Sequence, residues 1–130
     1  YQQLRMQALE VERWNRLHPL DPQRTPRVTE ILADSSGPVV AVTDFMRAVP
    51  DQIERWIPRG RAYVSLGTDG FGRSDTREAL RRFFETDAPH VVVAVLHALA
   101  DAGVLEPSVA ADAIGRYGIA TEDAPSWITP

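Results

Sequence analysis

Two short β-branched segments constrain the possible folds of this chain more than any other feature. Residues Val39 to Thr43 form an unbroken run of β-branched and apolar residues, which is typical of a strand buried on both faces of a sheet. A second run, from Arg61 to Leu66, predicts another strand, and helical patterns lie before, between and after the two. Strands that alternate with helices predict an α/β fold with a largely parallel sheet. Two strands are too few to complete such a sheet, so we expect the missing strands to come from a longer chain or a partner.

The helical period and the prolines assign the first half of the chain. Apolar positions within residues 4–18 recur at helical spacing and predict an amphipathic helix. Residues 19–27 contain three prolines and should cross the surface as an extended connector, before a short helix at 28–33. A further helix, with Pro50 in its first turn and ended by Pro58, should connect the two strands.

Capping residues assign the second half. Asp75, with Glu78 three residues later, resembles a capping box and predicts the start of a helix. Residues 89–102 include three consecutive valines, but Asp87 before them and a glycine after them favour a helix over a strand. This helix is apolar nearly all round, so we expect it to be buried. A last helix should begin at residue 107, end near 118 and precede a polar tail.

Composition excludes several classes of protein. A chain of 130 residues with 44% hydrophobic and 25% charged residues suits one globular domain. The net charge of −4 argues against nucleic-acid binding, which usually needs a basic surface. The chain contains no lysine, so it cannot form a phosphate-binding loop of the kind that uses a lysine side chain. With no cysteine and no apolar run near about 20 residues, we expect a soluble, cytoplasmic protein without disulfides or a membrane span. The chain begins within a helical pattern and without Met, so we expect it to belong to a longer polypeptide.

One glycine-rich loop, between the second strand and the next helix, is the main candidate for a site. Its residues are Gly67, Thr68, Asp69, Gly70, Phe71, Gly72, Arg73, Ser74 and Asp75. A loop in this position can hold a phosphate at a helix N-terminus. However, its glycines run in the reverse order of the dinucleotide fingerprint and no lysine follows. We therefore interpret the loop as a structural corner or interface, with a phosphate site as the alternative.

No other group of residues indicates a catalytic, cofactor-binding or metal site. His90 and His97 share a helix face, but two turns separate them by about 10 Å, too far to chelate one ion. No carboxylate lies at a sequence spacing from His18 that would indicate a catalytic pair. The carboxylates of the chain fall on helix faces that we expect to be exposed to solvent, which does not favour a general acid or base. A small basic cluster could pair with an acidic surface of a partner; it comprises Arg77, Arg81 and Arg82.

The loop and its surroundings resemble the C-terminal region of homodimeric pyruvate dehydrogenase E1 components. The similarity extends from the loop through Arg77, Leu80, Arg81 and Phe84 to Glu85. Further segments resemble that family in the same order along the chain: residues 12–19, 38–46, 90–94 and 109–114. The resemblance implies that residues 1–130 are a partial C-terminal domain. Residues 1–37 would be a helix and connector, 38–120 the strand and helix core, and 121–130 a tail.

The resemblance also implies a fold and a function. The fold would be that of a transketolase C-terminal domain, a three-layer arrangement of a mixed, mostly parallel sheet between helices that packs in the dimer, with its first strands outside this chain. The enzyme would use thiamine diphosphate and Mg²⁺ to decarboxylate pyruvate and would pass the acetyl group to dihydrolipoyl acetyltransferase (E2). Its cofactor ligands and catalytic residues would lie in preceding domains, so none is carried onto a position here. Its partners would be the rest of the E1 chain, the homodimer mate and E2. The alternative is a stand-alone, non-catalytic interaction module with the same fold.

Overall fold

The computed structural model describes all residues from Tyr1 to Pro130 and has an α/β fold. The elements in chain order are α1 (Gln2–Leu17), α2 (Arg27–Ala33), β1 (Val39–Val42), α3 (Ala48–Asp51), β2 (Tyr63–Leu66), α4 (Arg77–Phe83), α5 (Ala88–Asp101) and α6 (Pro107–Tyr117). Short 3₁₀ turns occupy Glu54–Trp56 and Ser126–Ile128. None of the helices combines the length and apolar character that a membrane crossing needs.

The two strands form a parallel pair. Val39 lies opposite Tyr63, and the register continues without a break to Val42 opposite Leu66. Side chains alternate between the two faces, so the two faces of the pair meet different helices. Leu66 lines a cavity with residues of α5 and α6, whereas the Tyr63 hydroxyl donates to the carbonyl oxygen of Pro50 in α3. The sheet therefore separates α5 and α6 from α3.

The core is small and lies on the α3 side of the sheet. Its buried cluster comprises Ala8, Val28, Ile53 and Trp56. Only 12 of the 130 residues are buried, so the sheet is covered less completely than the sequence predicts. In β1, Ala41 is buried but Val42 is exposed, and the strand ends one residue before Thr43. The prediction that this strand is buried on both faces is wrong for the chain alone, because a two-stranded sheet cannot shield both faces of its own strands.

The connection between the strands differs from the single helix that the prolines predict. Pro50 lies in the first turn of α3 as predicted, but α3 ends at Asp51, well before Pro58. The next turns use hydrogen bonds to the third preceding residue, from Ile53 N–H to Pro50 O (3.3 Å) and from Trp56 N–H to Ile53 O (3.1 Å). Residues three positions apart share a face in this tighter 3₁₀ geometry, and Ile53 and Trp56 both belong to the buried core cluster.

The start of α4 also differs from the prediction, because Thr76 and not Asp75 is the N-cap. Thr76 has extended backbone angles, and its Oγ1 accepts a hydrogen bond from Ala79 N–H (3.3 Å). Asp75 lies one residue too early for this role, and its carboxylate instead accepts from Thr76 N–H (2.7 Å). Glu78 lies in the first turn of the helix, where a negative charge is favourable.

The helical assignment of residues 89–102 is confirmed within one residue at each end. Asp87 caps α5 by accepting from His90 N–H (3.3 Å), and Gly103 follows with a φ of +76°. Its burial is less complete than expected, since only Ala98 is buried and Val92 is exposed. The helix packs against α6 and the sheet, which leaves one apolar flank uncovered.

Candidate functional site

The candidate loop, residues 67–75, lies at the carboxyl end of the strand pair. It follows β2 directly, and residues 43–47, which follow β1, lie beside it. In parallel sheets, ligand sites and contact surfaces form at this edge because the loops that leave neighbouring strands meet there. The position therefore suits either a binding site or an interface.

Contacts with the exit of β1 hold the first residues of the loop. Thr68 N–H donates to Phe45 O (2.9 Å), and the Thr68 hydroxyl donates to Asp44 O (3.0 Å). Gly67 is buried in this contact, and a Cβ there would stand 2.6 Å from Phe45 O and 2.8 Å from Arg47 N. The two strand exits approach so closely that only glycine fits at position 67 without a backbone shift.

Asp69 connects three parts of the chain. Its carboxylate accepts hydrogen bonds from the Arg47 N–H (3.2 Å) and from the Arg47 guanidinium Nε (2.8 Å). Its backbone oxygen accepts from the hydroxyl of Ser126 (2.6 Å), which is buried. The same arginine lies over the ring of Trp127, 4.7 Å from the ring centroid. The C-terminal turn is thus fastened to the loop.

The other two glycines of the loop meet different constraints. Gly70 has a φ of +133°, and a Cβ there would lie 2.5 Å from Ser126 O. Gly72 has open space around its Cα and no positive φ. Of the two glycines beside Phe71, only Gly70 therefore has a backbone conformation that other residues rarely adopt.

An open cavity of about 530 Å³ lies between the loop and α4. Its lining comprises Asp44, Thr68, Gly70, Phe71, Gly72, Arg73, Asp75, Arg77, Leu80, Arg81, Phe84 and Thr86. Three arginines and two aspartates line it, so its charge is mixed with a slight excess of positive groups. Arg81 forms an ion pair with Asp44 (3.4 Å) in which both side chains are exposed. Such a pair contributes little to stability, which leaves both groups able to exchange partners.

The geometry gives the phosphate alternative little support. Two amide groups that a bound phosphate would use are already engaged, since Thr68 N–H donates to Phe45 O and Ala79 N–H donates to Thr76 Oγ1. Thr86 also lines the cavity, but its hydroxyl is buried and has no hydrogen-bond partner, so a single group of this kind does not make a phosphate site. A structural role for residues 67–75 stays the better prediction.

The histidines lie away from this loop. His90 and His97 both line a second, mostly apolar cavity of about 330 Å³ between β2, α5 and α6, so they share a face as predicted. Each has a separate carboxylate partner, Asp87 for His90 and Asp101 for His97. His18 stacks on Trp14 with 4.3 Å between the ring centroids. The structure brings no three His, Asp or Glu side chains together as a metal ion would require.

The pKa of one side chain, Tyr63, departs clearly from its ordinary value. Burial raises the pKa of the Tyr63 hydroxyl, and repulsion from Tyr1, Asp51 and Glu54 adds to the effect. The hydroxyl donates to Pro50 O (2.6 Å) on the core side of the sheet. Because this group is directed into the core, its altered pKa reflects packing and not a catalytic role.

The residues present do not fit a bound diphosphate and magnesium. Only two carboxylates line the cavity beside the loop, one of them already paired with Arg81, and no lysine exists in the chain. Mg²⁺ prefers several oxygen ligands around the ion, and this set does not supply them. No step of a cofactor reaction is therefore assigned to these residues.

Sequence reasoning missed the tie between Arg47, Asp69, Ser126 and Trp127. One signal was available for part of it, because the exits of two parallel strands meet at the same sheet edge and bring Arg47 near Asp69. No sequence signal places Ser126 there, since 57 residues separate it from Asp69.

These features define a class of protein. The chain belongs to the family of the transketolase-like TK C-terminal domain, whose family model matches residues 3–87. It is also similar to proteins called pyruvate dehydrogenase E1 component. The one from Pseudomonas aeruginosa is 52% identical over 122 residues, which are 94% of this chain and 14% of that protein. The one from Mycolicibacterium smegmatis is 54% identical over 117 residues, 90% of this chain and 12% of that protein.

A third relative, from Escherichia coli, is 44% identical over 119 residues, 92% of this chain and 13% of that protein. The chain thus spans no more than about one seventh of the length of these relatives.

Proposed function

We propose that this chain is the C-terminal, non-catalytic part of a pyruvate dehydrogenase E1 component. The observation that carries the proposal is the identity of 52% with such a protein across 94% of the chain. The parent enzyme would depend on thiamine diphosphate and Mg²⁺, decarboxylate pyruvate and reductively acetylate the lipoyl group of E2. It would act in the cytoplasm as a homodimer.

The role of the chain in that enzyme would be structural. The loop at residues 67–75 is held by the exit of β1 and by the C-terminal turn, so it is suited to present a rigid surface. The cavity beside it is open and lined by side chains of mixed charge, which suits contact with another protein surface. The cofactor and the reacting groups would lie in the preceding domains.

The open edges of the sheet support the idea that this is a partial domain. Val39 N–H donates to Ala62 O (2.8 Å), just before β2, and Thr43 N–H donates to Leu66 O (3.0 Å), in the last residue of β2. Because backbone groups alternate along a strand, those of Val40 and Val42 are directed to the outer edge of β1. Parallel strands are normally flanked and covered, so we propose that strands from the preceding polypeptide complete this sheet.

The test compares the full-length polypeptide with the 130-residue chain. Calorimetric titration with thiamine diphosphate and Mg²⁺, followed by an assay of pyruvate decarboxylation, should show binding and turnover only for the full-length polypeptide. A full-length polypeptide without either activity, or a 130-residue chain that binds the cofactor at micromolar affinity, would contradict the proposal.

The intact mass of the protein in its source cells tests the alternative, a stand-alone interaction module. We expect a species several times heavier than 14.4 kDa. A mature species of 14.4 kDa alone would favour the interaction module.

A further inference from the structure

Several large apolar side chains are exposed at one place, the carboxyl end of the strand pair. We name this surface the carboxyl-edge patch; it comprises Phe45, Met46, Phe71, Trp127 and Ile128, which are 49% to 68% exposed. Single exposed apolar residues are common on folded proteins, but a group of this size, with three aromatic members, marks an interaction surface.

The contacts of the loop bring these residues together and fix them. The backbone of Phe45 receives the hydrogen bond of Thr68 N–H (2.9 Å), so the exits of β1 and β2 are adjacent. Gly70, next to Phe71, abuts the backbone of Ser126 and Trp127. Residues that are already held in place lose little conformational freedom on binding, and a pre-organised surface therefore binds more tightly than a mobile one.

Arginine side chains border the patch on one side. Phe71 lines the cavity beside α4 together with Arg73, Arg77 and Arg81, and aspartates contribute two negative charges there. This local excess of positive groups contrasts with the net charge of −4 for the whole chain. Aromatic and arginine residues are the types enriched at the centres of protein interfaces.

We propose that the carboxyl-edge patch is the surface by which this domain docks onto the preceding, catalytic part of its own E1 polypeptide. The proposal rests on the proposed function. The partner surface would be apolar at its centre, to receive Phe71 and Trp127, and would carry carboxylates opposite the arginines. Most of the length of the relatives lies outside the matched stretch, which supplies a covalently tethered partner at high effective concentration.

Charge argues against a second copy of the same patch as the occupant. In a two-fold contact the patch would meet a second copy with the same excess of arginines over aspartates, so the net charges of the two surfaces would repel each other. Like charges placed opposite each other disfavour a contact, whereas an acidic surface elsewhere in the polypeptide is complementary.

The experiment places a photoreactive benzoylphenylalanine at position 71 of the full-length polypeptide. After irradiation, electrophoresis gives the mass of the product and mass spectrometry identifies the linked peptides. The matched control carries the same photoreactive residue in place of Leu20, a side chain that is 99% exposed in the connector. We expect an adduct of monomer mass between position 71 and a segment preceding this chain, and its absence from the control.

Other products would overturn the proposal. An adduct of doubled mass would identify a second polypeptide as the occupant, and an adduct formed only when E2 is added would identify E2. The absence of any adduct at position 71, with protein that remains folded, would show that the patch faces solvent.

A charge-reversal variant tests whether the arginines beside the patch contribute to docking. Arg77→Glu combined with Arg81→Glu should abolish the adduct at position 71. Arg82→Glu makes the same change on the same helix but outside the cavity lining, and it should leave the adduct intact. An adduct that survives the double substitution would reject the charge-based docking.

Cofactor binding and turnover of each full-length preparation separate this inference from the proposed function. If the adduct forms but the unsubstituted polypeptide neither binds thiamine diphosphate nor converts pyruvate, the proposed function fails while the docking surface stands. If the enzyme is active and no adduct forms, only the docking surface fails.

Discussion

Two glycines of the loop are required for different reasons, and a third is not. Gly67 leaves room for the backbone of Phe45, whereas Gly70 combines a φ of +133° with the close approach of Ser126. Gly72 meets neither condition. The density of glycine in a loop thus says little about any one position, because the cost of a side chain depends on what surrounds the Cα.

Gly67→Ala should destabilise the chain. Its Cβ would meet backbone atoms at 2.6 Å and 2.8 Å, which cannot move as a flexible side chain does. Overpacking of this kind costs about 1–3 kcal/mol, and urea unfolding should show a loss in that range. Gly72→Ala is the matched control and should change the free energy of unfolding by less than about 0.5 kcal/mol. Equal losses in the two variants would contradict the assignment of the close approach to position 67.

Tyr63 makes the stability of the chain depend on pH at the alkaline end. Its pKa is raised in the folded state, so above about pH 10 the unfolded chain releases the phenolic proton while the folded chain keeps it. The folded state then binds more protons, and stability falls as the pH rises. Below about pH 10 this contribution is fully present.

Tyr63→Phe should therefore have a pH-dependent effect. Near neutral pH it removes the hydrogen bond to Pro50 O and should lower the free energy of unfolding by about 1 kcal/mol. The difference between the unsubstituted chain and the variant should shrink above pH 10, because phenylalanine does not titrate. Urea unfolding between about pH 8 and 11 measures it. A difference that stays constant over this range would show that Tyr63 does not keep its proton on folding.

At the scale of elements, helix ends decide where α4 and α5 lie. The 7-residue α4 has no buried side chain, so the hydrogen bond of its N-cap contributes much of the stability of its first turn. The 14-residue α5 has a carboxylate cap at one end and a glycine just past the other. A short helix with an unburied face depends on local hydrogen bonds more than a long, packed one.

Thr76→Ala should loosen the start of α4. It removes the hydroxyl that accepts from Ala79 N–H, and the loss of such a cap costs about 1 kcal/mol. Hydrogen exchange of the α4 amides should become faster in this variant. Ser74→Ala, at a position outside the cap, should leave the exchange unchanged. Faster exchange in Ser74→Ala and unchanged exchange in Thr76→Ala would show that a residue before Thr76 caps the helix.

Ala98→Asp tests the packing of α5. Ala98 is 2% exposed, and an unpaired charge buried there should cost about 3–5 kcal/mol. Ala88→Asp, an exposed site in the first turn, places the same charge where the helix dipole favours it and should be nearly neutral. Thermal unfolding should separate the two variants clearly, and similar melting temperatures would mean that α5 is not packed as described.

At the scale of the whole molecule, the C-terminal turn and the candidate loop form one unit although they are far apart in sequence. The Ser126 hydroxyl reaches the backbone of Asp69, whose carboxylate holds Arg47, and Arg47 lies over Trp127. The three segments therefore stabilise one another, and the carboxyl-edge patch depends on all of them.

Ser126→Ala should release the loop without unfolding the chain. It removes one hydrogen bond to Asp69 O, which is worth about 1 kcal/mol, and leaves a carbonyl without its partner. Hydrogen exchange at residues 68–72 should become faster, while exchange in α5 should not change. Ser36→Ala, at an exposed turn, is the control. Unchanged exchange in the loop would show that the C-terminal turn does not hold it.

Local signals in the sequence were sufficient for the regular elements. The α/β class and the extents of α1, α5 and α6 follow from apolar spacing, prolines and capping residues, and the structure confirms them. These signals work because helix periodicity and end capping involve residues no more than a few positions apart. The family resemblance likewise rested on contiguous motifs.

Tertiary structure alone decided the rest. Whether Asp75 or Thr76 caps α4, where α3 gives way to a 3₁₀ turn, and which glycine of the loop is indispensable all depend on backbone geometry and on neighbouring segments. The tie from Asp69 to Ser126 joins residues 57 positions apart, and no periodic pattern connects them. The sequence by itself determined which segments form helices and strands, because those preferences are local. Packing determined which side chains meet at the sheet edge, because such contacts exist only once distant segments are brought together.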